Sequence, residues 1–160
     1  SSNQSGLYTE DILAGIMYAE ASGEIYTLGV KNKKSAADVC SNIQNKDGTS
    51  VAYSFFQFNY EGVPADFKKW IDNEGWKRPV EATQYAVKLL KGKEKTIKSS
   101  LPELTGDNLL KACIASYNKG EGNIIKELRE NKIPIDSINE TYYVKKVLKV
   151  ANEYKKIKSK

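Results

Sequence analysis

The chain has 160 residues, 28% of them charged and 40% hydrophobic, with 25 Lys and Arg against 20 Asp and Glu, a net charge of +5 and no histidine. That length suits one domain with a single core. The missing imidazole removes histidine-based acid catalysis and histidine-ligated metal, which leaves carboxylates as the acids and bases near neutral pH. In chain order, periodicity predicts helices near 10–22, 35–43, 63–73, 79–91, 107–118, 122–131 and 139–156. An irregular or weakly stranded stretch is expected at about 44–59, and a surface connection over 91–106. No apolar run approaches the length that crosses a bilayer, and the opening residues Ser1 to Gly6 are polar where a signal peptide is apolar.

The first helix has Thr9 as its cap and Glu10 and Asp11 in its first turn. Ile12, Ile16 and Glu20 follow at i, i+4 spacing with Leu13 and Met17 beside them, so Glu20 continues the apolar stripe. A carboxyl group held against apolar side chains has its charged form disfavoured, and its pKa is expected to rise toward the range of a general acid. An ordinary glutamate at a fraying helix end is the other reading.

Farther on, the turn-like Asn45 to Gly48 precedes an aromatic run, Tyr53 to Asn59, that Gln57 interrupts. A buried amide needs partners for both its carbonyl and its amino group, and sugar hydroxyls or an N-acetyl group supply them. A solvent-facing Gln57 is the alternative. Pro79 opens a helix faced by Ala82, Tyr85, Ala86, Leu89 and Leu90. Asp107 is placed to cap the next, whose Leu109, Leu110, Cys113, Ile114 and Tyr117 recur at helical spacing, and Gly120 and Gly122 permit the positive φ that stops it. Tyr117 and Asn118 then sit where a rigid element meets a loop, either as ligand-facing groups or as a core tyrosine and a capping asparagine.

The last helix carries Val144, Val147, Leu148, Ala151 and Tyr154 as its buried stripe, with Tyr143 at its start. Lysines gather here, at Lys145, Lys146, Lys149 and over 155–160, as the solvated face of an amphipathic helix or as a patch steering toward an anionic polymer. Cys40 and Cys113 permit one disulfide, and Cys113 reads equally as a buried thiol on an apolar stripe. Their spacing supports neither a metal site nor a redox pair. No repeat or linker divides the chain, so a single domain over 1–160 is expected, with loose termini at 1–8 and 155–160.

Four segments in this order resemble the soluble lytic transglycosylases and goose-type lysozymes, enzymes that cut the glycan strands of bacterial peptidoglycan. They are Glu20-Ala21-Ser22-Gly23, Ser54-Phe55-Phe56-Gln57, Ala115 through Gly122, and Glu140-Thr141-Tyr142-Tyr143-Val144, the last one residue shorter than usual. The resemblance implies a mainly α, lysozyme-like α+β domain with a small β element beside the substrate cleft. It implies a monomer without cofactor or metal, acting outside the cytoplasm on the bond between MurNAc and GlcNAc, its signal peptide absent from this chain. Nucleic acid is not an expected partner; a secretion or phage assembly fits the family.

By the same resemblance Glu20 is the single acid and base of a lytic transglycosylase, and Ser22, Gln57, Tyr117, Asn118 and Tyr143 bind substrate. Two departures stand out: Ser54 and Phe56 replace a glycine and a methionine, so a bulkier, more aromatic cleft wall is expected. The stretch between Glu20 and Gln57 is also long, and Asp47 within it is the candidate second carboxylate of a hydrolytic, goose-type reading, unless Asp47-Gly48 is simply a turn. A non-catalytic glycan-binding relative is the third reading.

Overall fold

The structure, a computed structural model, describes residues 6–24, 43–44, 50–139 and 141–160, with 22–24, 43–44, 50 and 51 by backbone alone. Internal contacts group the chain into two compact units, Met17–Ala86 and Ser1–Ile16 with Val87–Lys160. Helix α1 (Glu10–Glu24) begins as its capping chemistry predicts. The Leu13 amide donates to the Thr9 carbonyl at 3.0 Å and the Ile12 amide makes a longer 3.5 Å contact to the Thr9 hydroxyl.

Within Met17–Ala86, strands β1 (Ile43–Gln44), β2 (Ser50–Tyr53) and β3 (Phe58–Asn59) form an antiparallel sheet in that order. Ala52 lies opposite Ile43 on one side and Asn59 on the other. After Pro64, helix α2 (Ala65–Asp72) turns Phe67, Trp70 and Ile71 inward. All four phenylalanines and both tryptophans of the chain fall in this unit. Phe67 meets Phe58 edge-on at 5.3 Å and Tyr85 at 4.2 Å, and Trp70 stacks on Tyr85 at 4.2 Å. The Trp70 indole N–H donates to Glu81 Oε2 at 2.8 Å, and Arg78 Nη2 donates to the same oxygen at 2.8 Å. That carboxylate, held below its ordinary range by Arg78 and then by Trp70, ties α2 to the start of α3 (Pro79–Ser100).

The other unit has an aliphatic core. Leu90 and Ile97 of α3, Ile114 of α4 (Gly106–Lys119), Ile124 of α5 (Glu121–Ile125), Ile138 of α6 (Ile135–Asn139) and Val144 and Val147 of α7 (Tyr142–Lys158) are buried together with Ile16. Burying such side chains contributes roughly 1.5–3 kcal/mol each before the entropy cost. A Cβ on Gly15 would run into the backbone carbonyl of Val147, so glycine is what lets α1 and α7 approach this closely. The Tyr8 hydroxyl donates to the Leu90 carbonyl at 3.3 Å. Burial, and then hydrogen bonding with the Cys113 thiol, pushes that phenol far above its ordinary pKa.

The expected mainly α architecture with a small β element is what is found, with several boundaries moved. Residues 91–100 continue α3 instead of forming a connection: Lys and Glu are good helix formers, and fully buried Ile97 sits seven positions after Leu90. The expected helix at 122–131 is α5 running into a π-helical turn over Lys126–Glu130, where the Asn131 amide reaches the Lys126 carbonyl at 3.0 Å. The helix expected from 139 starts at Tyr142, after the separate α6. Of the helix expected at 35–43, residues 35–42 lie outside the described residues, and Ile43 belongs to β1. The segment 155–160, where a loose terminus is expected, is helical as far as Lys158. Helix α7 runs to that residue, whose ammonium meets Glu10 at 2.8 Å and Asp11 at 3.5 Å, while the Tyr154 hydroxyl donates to Glu10 at 2.7 Å.

Candidate functional site

Glu20 lies within α1, which continues through Glu24, so it is not at a fraying end. It is half-buried, four residues after the fully buried Ile16 and next to buried Ala21. By helical spacing Glu20 lies on the same stripe of α1 as Ile12 and Ile16.

Gln57 belongs to the tight turn between β2 and β3. Ser54 and Gln57 both adopt left-handed backbone, with φ of 69° and 51°, a region that costs a non-glycine residue of order 1 kcal/mol or more. Local hydrogen bonds offset that cost. The Ser54 hydroxyl accepts from the Phe56 amide at 3.0 Å, and the Ser54 carbonyl receives both the Gln57 backbone amide at 3.0 Å and its side-chain Nε2 at 2.9 Å. The amide nitrogen of Gln57 is thus spent on its own turn, while Oε1 is left as an acceptor. The positive φ at Ser54 gives the reason a glycine suits this position.

The two departures expected to thicken a cleft wall go into packing instead. Ser54 is 1% exposed and Phe56 3% exposed, and the Phe56 ring stacks on Phe58 at 6.0 Å. Replacing a flexible methionine by a ring here extends the aromatic core of Met17–Ala86.

In the other unit, α4 ends at Lys119 because Gly120 takes φ 86° and donates its amide to the Ser116 carbonyl at 2.8 Å. Asn123, not Asn118, supplies the side-chain cap, its Nδ2 donating to the Lys119 carbonyl at 2.6 Å. Asn118 is exposed and has no side-chain hydrogen bond among the described residues, so both halves of its amide face outward. Tyr117 is half-buried beside it. Glu121, in the middle of the same motif, is no acid candidate. Burial pushes its pKa up, but the hydrogen bond from Lys93 Nζ at 2.7 Å and its own backbone amide outweigh that and hold it below the ordinary carboxylate range. It braces the loop to α3. Thr105 rather than Asp107 stands at the start of α4, with Asp107 inside the first turn. Tyr143 is half-buried in the first turn of α7, between exposed Tyr142 and buried Val144.

Of the residues expected to act together, Glu20 and Gln57 fall in Met17–Ala86, and Tyr117, Asn118 and Tyr143 in the other unit. Asp47, Cys40 and Glu140 lie outside the described residues, as does the side chain of Ser22. Cys113 is a free, fully buried thiol among the described residues, and burial pushes its pKa up to about 11. Among the described residues no three His, Cys, Asp or Glu side chains converge on a point where a metal would sit, and no helix is long and apolar enough to cross a membrane. Two contributors escaped the sequence reading, the Ser54 hydroxyl and the Asn123 amide. A serine standing at a glycine position, and an asparagine four residues after a helix's last residue, were the available signals.

The family model described as Transglycosylase SLT domain matches residues 8–139, a span that takes in the motifs at Glu20, Gln57 and Ala115 to Gly122. The chain belongs to the transglycosylase SLT family. Members of this family are peptidoglycan lytic transglycosylases, so the chain is an enzyme with a lysozyme-like, mainly α fold and peptidoglycan as its substrate class. The matched span of this SLT chain stops just short of Glu140, so Tyr143 and the whole of α7 lie beyond it. No curated protein and no solved structure matches the chain.

Proposed function

We propose that this SLT chain cleaves the β-1,4 bond between MurNAc and GlcNAc as a lytic transglycosylase, with Glu20 as its acid and base. One observation carries the reading. A carboxyl group stands half-buried on the apolar stripe of α1, inside the Glu-Ala-Ser-Gly motif of the matched span. In the proposed step the Glu20 carboxyl donates its proton to the glycosidic oxygen as the C1–O bond breaks, and GlcNAc departs with a free 4-hydroxyl. The C6 hydroxyl of the same MurNAc then bonds to C1 and gives its proton to the Glu20 carboxylate, restoring the acid and leaving a 1,6-anhydro ring. No water is consumed, and no second carboxylate is required.

The binding roles follow from hydrogen-bonding capacity. Oε1 of Gln57 accepts from a sugar N–H or O–H, the outward amide of Asn118 both donates and accepts, and the hydroxyls of Ser22, Tyr117 and Tyr143 complete the set. We place the reaction outside the cytoplasm, where the substrate is, and treat 1–160 as one catalytic domain because the family match runs through both compact units.

Mass spectrometry of the soluble products from purified sacculi tests this reading. The expected chain ends are 1,6-anhydro-MurNAc, lighter by one water than a reducing end. Reducing ends alone would replace the proposal with hydrolysis, with Asp47 aligning the water. Strong binding without release would leave a non-catalytic glycan binder.

A further inference from the structure

The solvent face of α7 holds a feature that the cleavage reaction does not use. The chain's positive charge is unevenly spread: Ser1–Ile16 with Val87–Lys160 carries 17 Lys and Arg against 11 Asp and Glu, while Met17–Ala86 carries 8 against 9. Helix α7 alone has six lysines and a single carboxylate, Glu153. Val144, Val147 and Ala151 bury one side of it, and Tyr142, Lys145, Lys149 and Lys156, spaced by three, four and seven residues, are all exposed. At 1.5 Å per residue this row extends about 21 Å.

Stability of the helix does not explain the row. Lysines in the last turn complement the helix dipole, and Lys158 has Glu10 and Asp11 as partners. Lys145 and Lys149, however, lie in the first half of α7, whose first turn has no acidic residue, and they form a like-charge i, i+4 pair that is unfavourable in an isolated helix. Four lysines outside α7 are matched: Lys68 with Glu61, Lys77 with Glu74, Lys93 with Glu121 and Lys119 with Glu127. Lys149 and Lys156 have no ion pair among the described residues. At the head of the row Tyr142 is 80% exposed, and the Lys146 ammonium stands 5.9 Å from its ring centroid. An exposed ring beside ammonium groups fits a sugar that carries a carboxylate, with the ring taking the sugar's C–H face and the lysines the charge.

We propose that this face of α7 docks the acidic, peptide-bearing glycan of the wall, holding the enzyme to its polymer independently of the residues that cut it. The occupant is chosen by charge complementarity: peptide stems on muramic acid present free carboxylates along the strand. The choice of polymer rests on the proposed transglycosylase reading; the docking itself needs no turnover. Lysines along such a row raise the encounter rate and give binding that weakens with salt.

Co-sedimentation of the full chain with purified sacculi at 4 °C reads the docking, and turnover of short soluble glycan fragments reads the catalysis, so the two proposals fail separately. Lys145→Glu/Lys149→Glu/Lys156→Glu is expected to lose at least tenfold in sacculus affinity and most of the salt dependence, with fragment turnover and thermal midpoint unchanged. Tyr142→Ala is expected to weaken binding several-fold while keeping the salt dependence. Sacculi stripped of phosphate polymers with hydrofluoric acid should still bind, and sacculi whose carboxylates have been amidated should not. Parental binding by the triple variant overturns the proposal. So does loss of binding on phosphate stripping, or binding to phosphatidylglycerol vesicles but not to sacculi.

Discussion

The two turns that carry the candidate polar residues stop the chain by opposite means. At Gly120 the backbone reaches φ 86° with no Cβ to resist it, and Asn123 caps the helix, so Asn118 is left facing outward. At Ser54 to Gln57 the same sign of φ is imposed on two residues with side chains, and the turn consumes the Ser54 hydroxyl and half of the Gln57 amide to hold itself. Where glycine bears the geometry, the polar groups are available to a ligand. Where it does not, they become part of the scaffold. Under the proposed function Asn118 would serve only the ligand, and Gln57 would divide its amide between turn and ligand.

Breaking this contrast should give its largest effect in activity. Asn118→Ala is expected to lower kcat/KM on glycan by tenfold or more, about 1.4 kcal/mol of transition-state stabilisation, with the thermal midpoint unmoved. Asn123→Ala should do the reverse, costing about 0.5–1.5 kcal/mol of stability, and a midpoint shift in the Asn118 variant would contradict the assignment. Gly120→Ala should cost about 1–3 kcal/mol through conformation alone. The nearest atom to a new Cβ is Asn123 Nδ2 at an ordinary 3.9 Å.

The Ser54 position sharpens the comparison at smaller scale. Ser54→Ala leaves the Phe56 amide without its acceptor and should cost about 1–2 kcal/mol in denaturant unfolding. Ser54→Gly loses the same bond but relieves the left-handed backbone, and should fall within about 1 kcal/mol of the parent. Equal losses in the two variants would show that the positive φ at Ser54 is not strained.

The smallest effect is one of pH. Cys113 has an ordinary pKa of 9.0 and is pushed up to about 11 by burial, so the native state keeps its proton where the unfolded chain loses it. Its contribution is fully present below pH 9 and is lost as pH rises through about 11, with a slope of at most about 1.4 kcal/mol per pH unit. The buried Tyr8 phenol, also raised, acts in the same direction. In Cys113→Ala the fall of stability above pH 9 should be shallower, which urea unfolding across this range measures.

The sequence made the Gly120 turn legible because glycine is itself the signal for positive φ. Neither Ser54 nor Gln57 announces a left-handed conformation by its own residue type, and the one hint, a serine where the resembling motif has a glycine, is indirect, so their turn read only as a broken aromatic run. Glu20 was legible because a charge on an i, i+4 apolar stripe stands out. The second half of α3 was hidden because one buried residue, Ile97, marks its inner face amid lysines. The break before α7 had no glycine or proline to reveal it. The exposure of Tyr142 was equally hidden, since an aromatic at a helix start reads as core until its neighbours are placed.

The most direct measurement of the central claim is the rate at which Glu20→Gln digests purified sacculi, beside the parent and with both thermal midpoints recorded. The amide preserves shape and hydrogen bonding but has no proton to donate, so the account predicts a fall of about 10²–10⁴ in turnover at an unchanged midpoint. Digestion at the parental rate by the folded variant would contradict it.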